Sequence, residues 1–325
     1  MNPPPACSIV IRAHNEQAHL SLLLEGIRKQ TVRDVEILVV DSGSTDGTLE
    51  VAAHYPVRVL HIQPHAFTFG RSLNLGLAEA HAEIAVIASA HVFPVYPDWL
   101  EQLLQRFDDP RVALAYGRQR GADSTRFSEH QIFAKLYPSL SSVCQDPPFC
   151  NNANAAIRRE LWQEHRYDEE LSGLEDLEWA LWVQRRGHCV AYSAEAEVIH
   201  VHQERAAQVY NRYRREAMAL KRIRPEEHFG MRDCLRLFFR NIASDARFAR
   251  QEGIFRRVAA EIVWFRWMQF WGTYRGFALS GPLTSQLKQV FYYPRESIQA
   301  GGQEPLRPPA IEYADTPAGH ARKAR

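Results

Sequence analysis

Chemistry in this chain of 325 residues concentrates where apolar runs stop. The run IAVIA over 84–88 ends at Ser89-Ala90-His91, and VEILVV over 35–40 ends at Asp41. Ligands of open α/β sheets bind at the carboxyl ends of the strands, so an imidazole and a carboxylate placed there are candidate ligand groups. A metal or diphosphate site at 89–91 would be expected to carry carboxylates, yet serine, alanine and histidine stand there. A strand-end Asp can accept a hydrogen bond from a base N3–H, which suits uracil or thymine over adenine. GRSLNLG sets Gly70, Arg71 and Asn74 at a helix start, where backbone N–H groups and a guanidinium can together hold a diphosphate. VIHVH places His200 and His202 on one face of a strand. GLEDLEW opens a helix with Glu175 and Asp176, where the helix dipole favours acidic side chains and keeps them ionised.

Alternating elements must position these groups. Apolar runs predict strands over 7–12, 35–41, 57–62, 84–88 and 111–117. Helical patterns fall between them: over 16–30, from Ser44 or Thr45 through His54, over 71–81, and from near Asp98. This βαβα order predicts an α/β fold with a doubly wound, mostly parallel sheet and helices on both faces. Residues 151–159 look extended, 174–187 form a helix stopped by Gly187, and 189–202 alternate as a strand. Residues 1–205 are thus expected to form one unit, followed by a helical C-terminal region over 206–295 and a disordered tail over 296–325.

The totals exclude some classes. A formal net charge of +1 argues against nucleic acid as a partner. MNPPPACSIVI lacks the basic and long apolar parts of a secretory signal, and no run of about 18 uncharged apolar residues predicts a spanning helix. Cys7, Cys144, Cys150, Cys189 and Cys234 contain no CxxC pair, which fits free thiols in a reducing cytosol. The expected location is cytoplasmic, with peripheral contact to the inner face of a membrane through 255–281. There IVWFRWMQFWGTYRGFALSG groups Trp and Phe around Arg266 and Arg275, aromatics facing lipid and arginines at the head groups. Packing on the rest of the chain or on a partner chain is the alternative.

VVDSGSTDGT after an apolar strand, Asn15-Glu16 after the first strand and the Glu175-Asp176 pair resemble the family 2 glycosyltransferases, over roughly residues 6–205. FTFGR, SAH and NANAAIRR further resemble a rhamnosyltransferase-like branch. The resemblance implies a GT-A fold and an inverting enzyme. Its donor would be a UDP- or dTDP-sugar, rhamnose being one candidate, and its acceptor a hydroxyl of a saccharide or lipid-linked acceptor in polysaccharide assembly. It implies Asp176 as the base that takes the acceptor proton, with Glu175 beside it orienting the acceptor. Asp41 would read the nucleobase, with Ala13, Asn15, Glu16 and Ser42 around base and ribose, and Gly70, Arg71 and Asn74 at the diphosphate.

Most members of that family hold a divalent metal with Asp-x-Asp where Ser89-Ala90-His91 stand here. Ser and Ala are not normal Mg²⁺ or Mn²⁺ ligands, and a neutral imidazole brings less charge than two carboxylates. A requirement for Mn²⁺ or Mg²⁺ is therefore open. His91 has three readings, which its strand-end place ranks in this order: a direct donor to the leaving diphosphate, with Arg71 and Arg118 replacing metal charge; a metal ligand together with His200 or His202; a structural histidine at a turn. The rival to an enzyme is a non-catalytic binding or scaffold module that lost its metal site; the intact Asp176 favours the enzyme.

Overall fold

A computed structural model describes residues 4–278; the expected tail at 296–325 lies outside the described residues. The first half alternates as expected: β1 (Cys7–Ala13), α1 (Gln17–Arg28), β2 (Val35–Asp41), α2 (Thr48–Ala52), β3 (Arg58–His61), α3 (Phe69–Ala78), β4 (Ile84–Ser89), β5 (Val92–Pro94) and α4 (Trp99–Leu104). Then come β6 (Val112–Gly121), α5 (Phe127–Leu136), β7 (Asn154–Arg158), α6 (Arg159–Glu164), α7 (Glu175–Arg185) and β8 (Cys189–His200). Three helices close the described chain: α8 (Ala206–Ile223), α9 (Met231–Gln251) and α10 (Phe255–Ala278). The helix expected from Ser44 or Thr45 starts later, because residues 44–46 are tied to the loop after β1 instead.

One sheet runs in the order β3-β2-β1-β4-β7-β6-β8-β5. The β1, β2, β3 and β4 pairings are parallel, as is β6 with β8. The other pairings, β4–β7, β6–β7 and β5–β8, are antiparallel, so the sheet is mixed. Helical crossovers make the parallel half legible in sequence, whereas β7 enters from an irregular segment that carries no periodic signal. Helices cover both faces. Leu20, Leu23, Leu24 and Ile27 of α1 pack with Trp99, Leu100 and Leu103 of α4 on one side. Leu73 and Leu77 of α3 share the core on the other side with Trp179, Ala180 and Val183 of α7.

The expectation of five free thiols is corrected by a disulfide between Cys144 and Cys189, whose Cα atoms are 4.7 Å apart. The loop before β7 runs beside β8, with Ser142 N donating to Tyr192 O at 3.0 Å and Gln145 N to Val190 O at 2.9 Å. That pairing juxtaposes cysteines that no short spacing links. Cys7, Cys150 and Cys234 are free and buried.

The C-terminal helices correct the expectation for Arg266. Arg266 of α10, read as a head-group contact, is 1% exposed. Its guanidinium makes paired bonds to Asp245 of α9 at 2.7 and 2.9 Å and donates to Ser128 O of α5 at 3.2 Å. Ile262, Phe265, Phe270 and Phe277 are buried too, and α10 lies so close to α8 that a Cβ at Gly276 would stand 2.4 Å from Arg214 O. One side of α10 is therefore a bundle face, held by apolar burial, while Trp264, Trp267, Trp271 and Tyr274 are half-buried and Arg275 is exposed. No helix among the described residues is long and apolar enough to cross a membrane.

Removing one member of a buried pair strands the other's charge. Arg266→Met is expected to cost about 3–5 kcal/mol in a denaturant titration, and adding Asp245→Leu to recover most of it. An additive double mutant would mean the two charges are not coupled.

Candidate active site

The loops after β1 and β2 meet at the carboxyl edge of the sheet. Ala13 is in register with Asp41, and the Ala13 carbonyl accepts from Ser42 N at 3.1 Å and Ser42 Oγ at 3.3 Å. Asn15 Oδ1 accepts from Thr45 N at 2.8 Å, Asn15 N donates to Ser44 Oγ at 2.9 Å, and Glu16 N donates to Thr48 Oγ1 at 2.7 Å. The polar string after β2 is thus a clasp on the loop after β1. Asp41, 1% exposed, accepts from Gly43 N at 3.0 Å and Ser44 N at 3.3 Å. Those bonds fix the carboxylate at the strand end while leaving lone pairs for a further donor.

His91 follows β4, and its Nδ1 lies 2.6 Å from Glu16 Oε1. Burial opposes charge on Glu16, but the His91 and His19 imidazoles override it and hold the carboxyl down to about 2. Burial likewise opposes charge on His91, and Glu16 overrides it to raise the imidazole pKa. His200 and His202 join His91 from β8 and just beyond, with ring centroids 5.0 Å (His91–His200), 4.0 Å (His200–His202) and 6.0 Å (His91–His202) apart. One ring nitrogen of each falls within 4.8 Å of the others. Each Nδ1 already has an oxygen partner: Glu16 for His91, Gln119 at 2.8 Å for His200 and Glu129 at 2.8 Å for His202. Burial first, then the neighbouring imidazoles, push His200 well below the usual histidine range, and its Nε2 is buried with no hydrogen-bond partner. Three imidazoles oriented through Nδ1, with an orphaned Nε2 between them, make a cation-ligand arrangement.

The acidic pair sits at the start of α7. Leu174 just before it has φ 58°, and Asn15 just before Glu16 has φ 54°. Both are non-glycine residues in the left-handed region, a strained conformation that clusters at functional sites. Glu175 and Asp176 are 4% and 8% exposed. Glu175 Oε1 accepts from Arg12 Nη1 at 3.3 Å and Asn152 Nδ2 at 3.4 Å. Asp176 accepts from two backbone N–H groups, Asn152 at 3.0 Å and Leu177 at 2.8 Å. The helix dipole was expected to keep Asp176 ionised. Instead burial, and then the Glu175 charge, raise its carboxyl to about 7. Desolvation outweighs the dipole and the two N–H groups.

Other expected ligands are occupied elsewhere. Asn74 spends its whole side chain on the scaffold: Nδ2 donates to Tyr167 O and Glu169 Oε1, and Oδ1 accepts from Trp162 Nε1 and Tyr167 N. That corrects its assignment to the nucleotide. Gly70 packs against the 168–169 backbone, where a Cβ would meet Asp168 O at 2.5 Å. Arg71 pairs with Glu169 at 2.6 Å, and Arg118 lies 3.8 Å from Glu197. The trio around α3 therefore anchors the segment leading to the acidic pair. Sequence reasoning missed Arg12, whose guanidinium shares the Phe69 ring with that of Arg215, each 4.7 Å from the centroid. It also missed Gln119, Glu129 and Asn152. Asn152 stands in the quoted string NNANAAIRR, but its role depends on where β7 enters the sheet.

Residues 8–166 match the family model described as glycosyl transferase family 2. The chain is 26% identical over 221 residues to the O-antigen chain rhamnosyltransferase WbaN of Salmonella anatum, spanning 64% of this chain and 70% of that protein. It is also 26% identical over 218 residues to the O-antigen chain rhamnosyltransferase RfbN of Salmonella typhimurium, spanning 63% and 69%. The mannosyltransferase PcManGT from Pyrobaculum calidifontis, solved in complex with GDP-Man and Mn²⁺, superposes with a TM-score of 0.56 at 17% identity, covering 91% of this chain and 89% of that one. That likeness is one of fold, which is of the GT-A type with added C-terminal helices.

The raised Asp176 pKa has a signed consequence for stability. An unfolded Asp titrates near about 3.9, so the folded chain holds the proton more tightly, and wild-type stability falls as pH rises from there through about 7. Asp176→Asn removes that dependence. Its stability relative to wild type should climb across this window and then level, read by melting temperature at a series of pH values. A difference that stays flat with pH would refute the raised pKa.

Proposed function

With residues 8–166 forming a family 2 glycosyltransferase domain, and the chain thus a transferase enzyme, we propose that it is an inverting glycosyltransferase with Asp176 as its base. The observation that carries this is a buried Asp whose pKa is raised to about 7, held by backbone N–H groups at the carboxyl edge of the sheet. A base works best with a pKa near the working pH. Its unprotonated lone pair accepts the proton of an acceptor hydroxyl as that oxygen bonds to the anomeric carbon. The bond from that carbon to the diphosphate breaks on the opposite face, and the nucleoside diphosphate leaves with the electron pair. Glu175, pinned by Arg12 and Asn152, faces the acceptor side. Asp41, with Ala13, Asn15, Glu16 and Ser42 about it, forms the floor for the base and ribose of a UDP- or dTDP-sugar.

The likeness to two O-antigen chain rhamnosyltransferases supports rhamnose as the sugar and a growing saccharide, lipid-linked, as the acceptor. In this reading the enzyme works on the cytoplasmic face of the membrane, in polysaccharide assembly. A buried carboxyl with a raised pKa at the sheet edge serves a transferase and not a scaffold, which favours the enzyme over that rival.

His91, His200 and His202 fit a divalent first-row ion, and we read them as its ligands in preference to a direct contact between His91 and phosphate. The orphaned His200 Nε2 and the outer partners on every Nδ1 support this choice. An all-imidazole donor set suits Zn²⁺ or another transition ion and suits Mg²⁺ poorly. Such an ion, when bound, would offset the negative charge of the leaving diphosphate.

Thermal shift with UDP and dTDP, each with Zn²⁺, Mn²⁺, Mg²⁺ or EDTA, tests both halves. A ligand at about a hundred times its Kd adds roughly 2.7 kcal/mol, enough to read. The expected result is a rise that depends on Zn²⁺ or Mn²⁺, is absent with Mg²⁺, and is lost in His200→Gln. A full rise in EDTA would return His91 to direct phosphate contact. Asp176→Asn is expected to keep the nucleotide shift and to lose about 10²–10⁴-fold in transfer rate; near-normal turnover would remove Asp176 as the base.

A further inference from the structure

The transferase site leaves one face of α9 unused. Arg232, Arg236, Arg240, Arg247 and Arg250 are all exposed and fall within a narrow sector of the helix, since steps of four and three residues return to the same side. Asp233 pairs with Arg236 at 2.9 Å at the start of the helix, and Glu252 follows its end. Along one border of this sector run Met231, Leu235 and Phe239, 40%, 40% and 64% exposed. Phe239, the last of them, also lines a groove of about 450 Å³ between α9 and α10, with Ile242, Ala246, Phe255, Ala259 and Val263 and with Arg250 at its wall. Val263 is itself 48% exposed.

A chain of net charge +1 that gathers arginines on one helical face has built a local positive field, and the apolar border says what it meets. Nucleic acid would satisfy the guanidiniums and leave Phe239 and the groove in water. A bilayer surface satisfies both, with phosphates at the arginines and acyl chains under the apolar ridge. We propose that the exposed face of α9, with the α9–α10 groove, docks this chain on a membrane surface rich in anionic phospholipid. The surface is centred on α9 rather than on α10, where Phe265, Phe270 and Phe277 are buried and the tryptophans are half-buried. The inference stands on α9 and its groove and needs neither donor nor acceptor, so it survives or fails apart from the proposed reaction.

The test is flotation of the full chain with vesicles of phosphatidylcholine alone, and with vesicles that also contain phosphatidylglycerol. Wild type is expected to float with the anionic vesicles alone and to be released by salt. Arg236→Gln, Arg240→Gln and Arg247→Gln together should weaken binding by about a hundredfold, and Phe239→Ser should weaken it separately. All four positions are exposed, so both variants should keep the wild-type melting temperature and the wild-type rate on a water-soluble acceptor. Three results would overturn the proposal. The first is no flotation of wild type with anionic vesicles, and the second is equal flotation of the triple variant. The third is a dimer in light scattering that Phe239→Ser dissolves, which would seat a second copy on this face.

Discussion

Negative charge buried at the carboxyl edge of the sheet has to be answered, and the answers organise the molecule. Glu16 is answered by His91 and His19, Glu129 by Arg212 and His202, and Glu175 by Arg12. Among the described residues Asp176 has no ion pair; two backbone N–H groups and the more distant Arg12 charge favour its ionised form, and burial with the Glu175 charge outweighs them. The difference in answers sorts the carboxyls by pKa. Glu16 and Glu129 are held down to about 2, whereas Asp176 rises to about 7. A site that needs one proton acceptor among several carboxylates can be made by withholding a counter-charge from just one of them.

The same arrangement gives the helical extension a task at the site. Arg212 of α8 bonds Glu129 at 2.6 Å, and Glu129 in turn orients His202. Arg215 of α8 lies on Phe69, whose ring it shares with Arg12, and its carbonyl accepts from Ser172 Oγ at 2.8 Å, near the start of the acidic helix. α8 therefore braces both the imidazole cluster and the acidic pair. Behind it, the Arg266–Asp245 pair locks α10 to α9 and α5. Burying that pair brings little net stability over an apolar replacement, but it fixes which faces of the helices meet.

Much of this was legible in the residues themselves. Apolar runs located β1, β2, β3 and β4 almost to the residue. Both β1 and β4 lie inside the sheet, buried on both faces and so largely apolar, while the edge strand β3 keeps only Val59 and Leu60 between exposed Arg58 and His61. The strand-end positions of Asp41 and His91 followed from those runs, and the spacing of His200 and His202 followed from strand geometry. The motif strings led to the family, and with it to the GT-A fold. What one-dimensional pattern does not carry is which loops meet. Asn152 reaches Asp176 because β7 enters between β4 and β6, antiparallel to both; the disulfide and the capture of Asn74 by Tyr167 and Trp162 likewise join distant segments.

The sequence by itself determined where the polar groups stand along each element, since helix and strand periods are local properties of the backbone. The tertiary structure decided what each group is worth. A helix N-terminus predicts an ionised Asp176, but burial beside Glu175 raises its pKa, because the cost of desolvating charge depends on everything packed around it and on no single neighbour in the chain. His91, alone in sequence after Ser89 and Ala90, becomes one of three imidazoles because β4 and β8 end at the same edge. Arg266 reads as an exposed arginine among tryptophans and is a buried ion pair. In each case the residue type was given, and long-range packing set its environment.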